Sequence, residues 1–374
     1  MHNERLFPGQ GSIAFAESEP QDQVAKIKVV GVGGAGGNAV NRMIEEGMTG
    51  VEFIVCNTDL QALRSSRAPV KIQLGADIAQ GLGAGGDPEV GKQAALADVD
   101  RLFDALEGAN MVFVAAGLGG GTGTGAAPII ASIATELGAL TVGVVTRPFA
   151  FEGLRRARNA EIGLEEFRGC VDSVVTVPNE RLLGSTAKGV SFVEAFKMAD
   201  EVLRQAVRGI SDIILLPGLI NVDFADVRTT MMGRGVALMG TGIATGNNRA
   251  LEAVQRAISS PLLEEASIEG AKSLLVNLTG GPNVELGEIN EAMMLIHDAA
   301  DCEASIIFGA VIDESLTDEL RITVIATDFA STAASSQPAP PLRGPHGPGP
   351  GNRPTGTHDN NDLAVPAFLR KSAN

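Results

Sequence analysis

Between Gly117 and Pro128 the chain reads Gly-Leu-Gly-Gly-Gly-Thr-Gly-Thr-Gly-Ala-Ala-Pro, six glycines and two threonines in twelve residues. Ahead of it the apolar run Met111–Ala116 has the pattern of a strand buried on both faces of a parallel sheet. Behind it Ile129–Ala134 opens a helix. Strand, glycine loop and helix together make a phosphate cradle: backbone N–H groups approach the oxygens unhindered, and the helix N-terminus adds partial positive charge. Interior glycine costs about 0.5–1 kcal/mol relative to alanine, so a run this dense has a use beyond linkage. No Gly-Lys-Ser/Thr follows, so it is not a P-loop. The residues point to a nucleoside triphosphate.

A second glycine run follows the first strand, Lys26–Val30. Gly31, Gly33 and Gly36 fit G-x-G-x-x-G, and a helix runs through Ala39, Val40, Met43 and Ile44 to Gly47. The next strand, Val51–Cys56, ends in Asn57-Thr58-Asp59, where Asp59 is placed to take a ribose hydroxyl. On these residues alone a nicotinamide-dependent oxidoreductase stays open. A short strand Val70–Leu74, a helical stretch 89–106, the strand Leu140–Val145, the helix 154–168 and the strand Ser173–Val177 repeat the β/α unit. Such repetition implies a mostly parallel sheet covered on both faces.

Ser191–Ile210 is a long amphipathic helix, with Phe192, Phe196, Ala199, Leu203, Ala206 and Ile210 at three- and four-residue steps. It leads to a smaller α/β unit with four expected strands (236–240, 272–278, 305–309, 321–326) and helices at 224–232, 248–258 and 285–300. Asp223 and Asp226 open the first of those helices, where capping and the helix dipole both favour acids. From Ser331 to Asn361 the composition turns to Pro, Gly, Ser, Thr and Ala, as in a disordered tether. Beyond it Asp362–Lys371 is an apolar cluster flanked by charge, the form of a docking peptide.

Composition narrows the class. The net charge of −16 opposes binding to nucleic acid or anionic membrane, and there is no Trp or Tyr to stack on bases. No apolar run approaches the ~20 residues of a membrane span, and residues 1–25 read as a polar, disordered leader. Cys56, Cys170 and Cys302 lie far apart without metal-ligand spacing, as free thiols of a reducing cytoplasm do.

The chain resembles the FtsZ family of tubulin-like cell-division GTPases. The resemblance rests on Gly119–Gly125, which looks like the tubulin signature, on Asn221-Val222-Asp223-Phe224-Ala225-Asp226, which looks like the synergy loop, and on the terminal peptide. It implies a parallel-sheet GTP-binding domain (26–190), a linking helix (191–211) and a second α/β domain with a four-stranded sheet (212–330). A linker (331–361) and an anchor-binding peptide (362–374) follow. The nucleotide residues it implies are Gly34, Ala35, Gly36, Gly37 and Asn38 on the diphosphate, and Gly121, Thr122 and Gly123 around the β- and γ-phosphates. Glu152 and Arg156 fall at the ribose, and Asn179, Phe196 and Asp200 at the base. A carboxylate at Asp200 suits guanine, which offers N1–H and an exocyclic NH₂. The resemblance further implies that Asp223 and Asp226, with Asn221, orient the attacking water on a neighbouring subunit's GTP, with Mg²⁺ on the phosphates and K⁺ where acidic bodies meet. Head-to-tail contacts of that kind build an open filament, here expected in the cytokinetic ring at midcell. In the tail, Asp362, Val365, Pro366, Phe368, Leu369 and Arg370 would dock into membrane-anchor division proteins. A non-hydrolysing scaffold is the other alternative, opposed by the presence of both aspartates. Three departures from the family pattern stand out: Asp328 where glycine is expected, Leu60 where a small residue is, and Met232-Gly233-Arg234-Gly235, which carries more glycine and charge than expected.

Overall fold

The computed structural model describes residues 25–183, 190–216, 218–233, 235–260 and 270–329. The leader and the terminal peptide with Asp362, Val365, Pro366, Phe368, Leu369 and Arg370 lie outside the described residues, as do Pro217 and Arg234.

The first half is built from β1 (Ile27–Val32), α1 (Gly33–Glu45), β2 (Val51–Asn57), α2 (Leu60–Ser65), β3 (Val70–Gln73), α3 (Ala76–Ala79), α4 (Pro88–Ala97) and α5 (Val99–Leu106). It continues through β4 (Met111–Gly117), α6 (Thr122–Glu136), β5 (Leu140–Arg147), a 3-10 turn (Ala150–Glu152), α7 (Leu154–Arg168), β6 (Ser173–Pro178) and α8 (Asn179–Leu183). Strands β1 to β6 pair in parallel in the order 3-2-1-4-5-6. Alternate residues of β1, β2, β4, β5 and β6 feed two different cores, which is why these strands read as largely apolar runs. In β4, Met111 and Phe113 join the core under α1, whereas Val112, Val114 and Ala116 join the core under α4 to α7.

Helix α9 (Phe192–Leu215) starts in a capping box, with the Ser191 hydroxyl accepting from Glu194 N–H and the Glu194 carboxylate accepting from Ser191 N–H. It runs five residues past the expected end at Ile210 because Ile213 is still buried in the first core and Leu215 packs on its edge. Then come β7 (Gly218–Ile220), α10 (Phe224–Met231), β8 (Gly235–Thr245), α11 (Arg249–Ile258), β9 (Ala271–Gly280), α12 (Leu286–Ala299), β10 (Ser305–Ile312) and β11 (Glu319–Phe329). The four expected strands pair as β8-β11-β9-β10, with the short β7 added at the β10 edge. The first residues of β8 also pair in parallel with β6 (Ser173↔Gly235, Val174↔Val236, Val175↔Ala237), so the two sheets join as one of eleven strands. A third core, including Leu274, Val276, Ile322 and Val324, lies under α11 and α12.

Candidate nucleotide site

The two glycine runs meet at the carboxyl ends of β1 and β4, where an open α/β sheet presents its ligand crevice. They meet because glycine lets backbone touch backbone. A Cβ on Gly33 would lie 2.9 Å from Gly123 N, and one on Gly123 would lie 2.5 Å from Gly117 O. Gly33 also has φ +70, a left-handed conformation that side chains avoid. The Thr124 hydroxyl accepts the Gly119 N–H at 2.9 Å and fixes the curl of the loop. The N-termini of α1 and α6 thereby converge on one cavity of about 380 Å³.

Gly34, Ala35, Asn38, Gly121, Thr122, Gly123, Glu152, Arg156, Asn179, Phe196 and Asp200 line that cavity together. Gly36 and Gly37 do not. Gly36 is pressed against β4, where a Cβ would sit 2.2 Å from Ala115 O, and Gly37 faces Val55. Their glycines serve the close approach of α1 to the sheet. Gly117, Leu118, Gly120, Thr146, Pro148 and Ala199 also line the cavity and were not anticipated; Gly120 lies inside the glycine run itself. Thr58 is a further unanticipated neighbour, its buried hydroxyl 2.6 Å from that of Thr122.

The cavity has two chemically distinct ends. At the glycine end the donors are backbone N–H groups and helix N-termini, with the Thr122 hydroxyl. Among the described residues Arg156 is the one cationic side chain in the lining, and it is ion-paired to Glu152. Glu152 is in turn held by the Phe149 N–H at 2.9 Å. At the other end sit Asn179, Phe196 and Asp200. Among the described residues the buried Asn179 side-chain oxygen has no hydrogen-bond partner, which leaves it free to accept from a ligand. Burial pushes the Asp200 carboxyl up to about 7, against the opposing pull of Arg42. An acceptor pair beside an aromatic ring can take the N–H edge of a planar base.

Asp59 is occupied elsewhere. Its carboxylate caps α2 by accepting from Gln61 N–H at 2.8 Å and Ala62 N–H at 3.1 Å, and it does not line the cavity. The ribose role that a dinucleotide fingerprint requires of it is unfilled.

Asn221, Asp223 and Asp226 are exposed and lie away from the cavity. Asp223 caps α10, accepting from Asp226 N–H at 2.9 Å, and Asn221 accepts from Gly218 N–H at 2.7 Å. The helix they open is tied to the opposite end of the sheet. Arg228 donates to Gly138 O at 3.2 Å, just before β5 begins, and Ser173 at the start of β6 donates to Met231 O. The cavity takes Thr146 near the other end of β5 and Asn179 after the end of β6.

The descriptions "Tubulin/FtsZ family, GTPase domain" and "FtsZ family, C-terminal domain" match residues 26–187 and 235–330. An FtsZ dimer from M. jannaschii superposes with a TM-score of 0.78 at 43% sequence identity, over 82% of this chain and 89% of that one. The chain belongs to the FtsZ family. A point mutant of M. jannaschii FtsZ gives 0.79 at 43% identity, over 83% of this chain and 92% of that one. CetZ2 from Haloferax volcanii, a GTPγS-bound protofilament, gives 0.67 at 23% identity over 82% and 94%, a likeness of fold. Membership in the FtsZ family, a family of GTP-binding cell-division proteins with a GTPase domain, removes the nicotinamide reading. Among the described residues no helix is long and apolar enough to cross a membrane.

Proposed function

We propose that this chain hydrolyses GTP within a head-to-tail filament of its own copies, each catalytic site being shared between two subunits. One subunit holds GTP in the glycine-lined cavity, with the phosphates on the N-termini of α1 and α6 and guanine on Asn179 and Asp200. The next contributes Asp223 and Asp226, with Asn221, which accept hydrogen bonds from the attacking water and orient it. Positioning and electrostatics dominate phosphoryl transfer, so an oriented water in a pre-formed cradle is chemically sufficient.

The observation that carries this reading is that the acids and the cavity occupy opposite ends of the same strands. No acid of the α10 loop can reach the chain's own phosphates, yet stacking one copy on another brings each acid end to a cavity. The dimer and protofilament states of the neighbours accord with it. Among the described residues no group of three or more His, Cys, Asp or Glu side chains could hold a metal ion. Mg²⁺ would be held largely by phosphate oxygens, as it commonly is, and would supply charge neutralisation on the β- and γ-phosphates. K⁺ would sit where acidic ends meet.

The filament would assemble in the cytoplasm at the midcell division site. The peptide 362–374 would bind membrane-anchor division proteins through Val365, Phe368 and Leu369. The test is GTPase rate against protein concentration. A threshold followed by a rise is expected; a rate strictly proportional to concentration down to demonstrably monomeric protein refutes the shared site.

A further inference from the structure

Four phenylalanines form one connected group beside the cavity, although Phe196 alone lines it. Phe149 and Phe151 stack at 5.0 Å between centroids with an interplanar angle of 13°. Both stand nearly perpendicular to Phe196, at 5.4 Å and 79° and at 6.4 Å and 81°. Phe192, the first residue of α9, closes the group, 4.9 Å from Phe196 and 5.6 Å from Phe151.

Burial does not account for the outer two rings. Phe151 and Phe192 are 56% and 67% exposed, so each leaves most of its apolar surface in water. What they have is ring-to-ring geometry, edge-to-face and tilted contacts that favour particular orientations. Phe196 takes part in three of the five ring contacts.

The group also joins two chain segments with different tasks at the cavity. Phe149 and Phe151 flank or belong to the 3-10 turn that presents Glu152, and Ala150 N–H in that turn donates to Glu180 Oε2 of α8 at 2.9 Å, next to Asn179. Phe192 and Phe196 belong to α9, which presents Asp200. The rings thus form a side-chain contact between the turn that presents Glu152 and the start of α9.

We infer that Phe192, with Phe151 behind it, is a positioning residue for the nucleobase. It holds the Phe196 ring in one orientation and keeps the Glu152 turn in register with the Asn179–Asp200 end of the cavity. This rests on the reading of the cavity as a guanine-nucleotide site. The effect belongs to binding: Phe192 does not line the cavity and acts only through Phe196 and Phe151, so removing it loosens the nucleoside and leaves the chemical step as it was.

The test is equilibrium binding and dissociation of N-methylanthraniloyl-GDP with full-length protein, at concentrations where sedimentation shows monomer. Phe192→Ala and Phe192→Leu should each raise Kd about three- to ten-fold, the loss of one to two ring contacts, mostly through faster release. Phe192→Tyr, which keeps the ring, should stay within about two-fold. In the assembled protein, KM for GTP should rise by the same factor while kcat at saturating GTP holds. Melting temperatures of all three variants check that an exposed side chain has been changed without loss of fold. Equal affinity in wild type, Ala and Leu variants overturns the inference, as does full rescue by Leu or a fall in kcat at unchanged KM. If wild-type protein itself binds no labelled GDP, the reading of the cavity falls instead.

Discussion

Asp226→Ala and Gly34→Asp should each abolish turnover alone and restore part of it when mixed. Asp226→Ala removes an orienting carboxylate, a loss of about 100-fold or more in rate, while leaving the cavity intact. Gly34→Asp does the reverse. A Cβ at Gly34 meets no atom within 4 Å, and an acid suits the first turn of α1, so the fold is kept. The new carboxylate faces the phosphates and repels them. Rescue within one subunit is excluded by distance. Helix α10 is fastened beside Gly138 at the start of β5, and Thr146, at the cavity, is the seventh residue of that strand. At about 3.3 Å per residue the strand alone separates them by about 20 Å, far beyond the reach of a side chain. In an equal mixture with random pairing, about one contact in four places an intact cavity against intact acids, since the contact is head-to-tail. Phosphate release from the mixture should therefore reach about a quarter of the wild-type rate at the same total concentration. A mixture no faster than the sum of its parts would refute the reasoning, as would Asp226→Ala retaining wild-type turnover.

The Asp200 carboxyl, raised to about 7 by burial, should make guanine-nucleotide affinity fall as pH drops below neutrality. Donors on the base favour the ionised form, so Kd should rise by about ten-fold per pH unit below 7; a flat profile from pH 5.5 to 8 by fluorescence titration contradicts the assignment. Because the folded-state value lies above the ordinary one, this group's contribution to stability is full in acid and is lost as pH rises toward 7. Gly125→Ala should destabilise by about 2–3 kcal/mol in urea denaturation, since its Cβ would lie 1.9 Å from Pro88 O and force α4 from α6; a change under about 0.5 kcal/mol would show that the helices part easily. Removing residues 362–374 should leave GTP turnover near wild type and abolish capture by a membrane-anchor partner in a pull-down; lost turnover would give the tail a second task.

Local rules settled much of this fold. Five strands reading as largely apolar runs in repeated β/α units fix a parallel sheet, and the helix 154–168 ends where its periodicity does. The break inside the expected helix 89–106 was hidden because it is tertiary. Asp98 leaves the helical path while its carboxylate takes the Gly75 N–H at 2.7 Å and Arg101 at 2.9 Å. The strand β7 is three residues long and exists only because β10 offers an edge. Within the site, composition marks the glycine run but not which glycines face a ligand and which face a neighbouring backbone, as Gly36 does. Thr58 gave no signal, for a lone threonine becomes meaningful only beside Thr122. Two of the three departures have physical answers. Asp328 adopts φ 57, the left-handed conformation that glycine would take and that Asp tolerates better than most residues. Leu60 starts α2 and covers Gly81, whose left-handed turn (φ +75) accepts it.

On the proposed shared site, the two ends of strands β5 and β6 would carry complementary halves of one reaction, with a mechanical corollary. In a filament built this way the long axis follows the strands, so tension between subunits travels along covalent backbone and not across hydrogen-bonded ladders. The direction of the strands becomes the polarity of the whole polymer. A constricting or sliding load would then stretch the stiffest elements of each molecule end to end, leaving the joints between molecules, where phosphate is cleaved, as the places that yield.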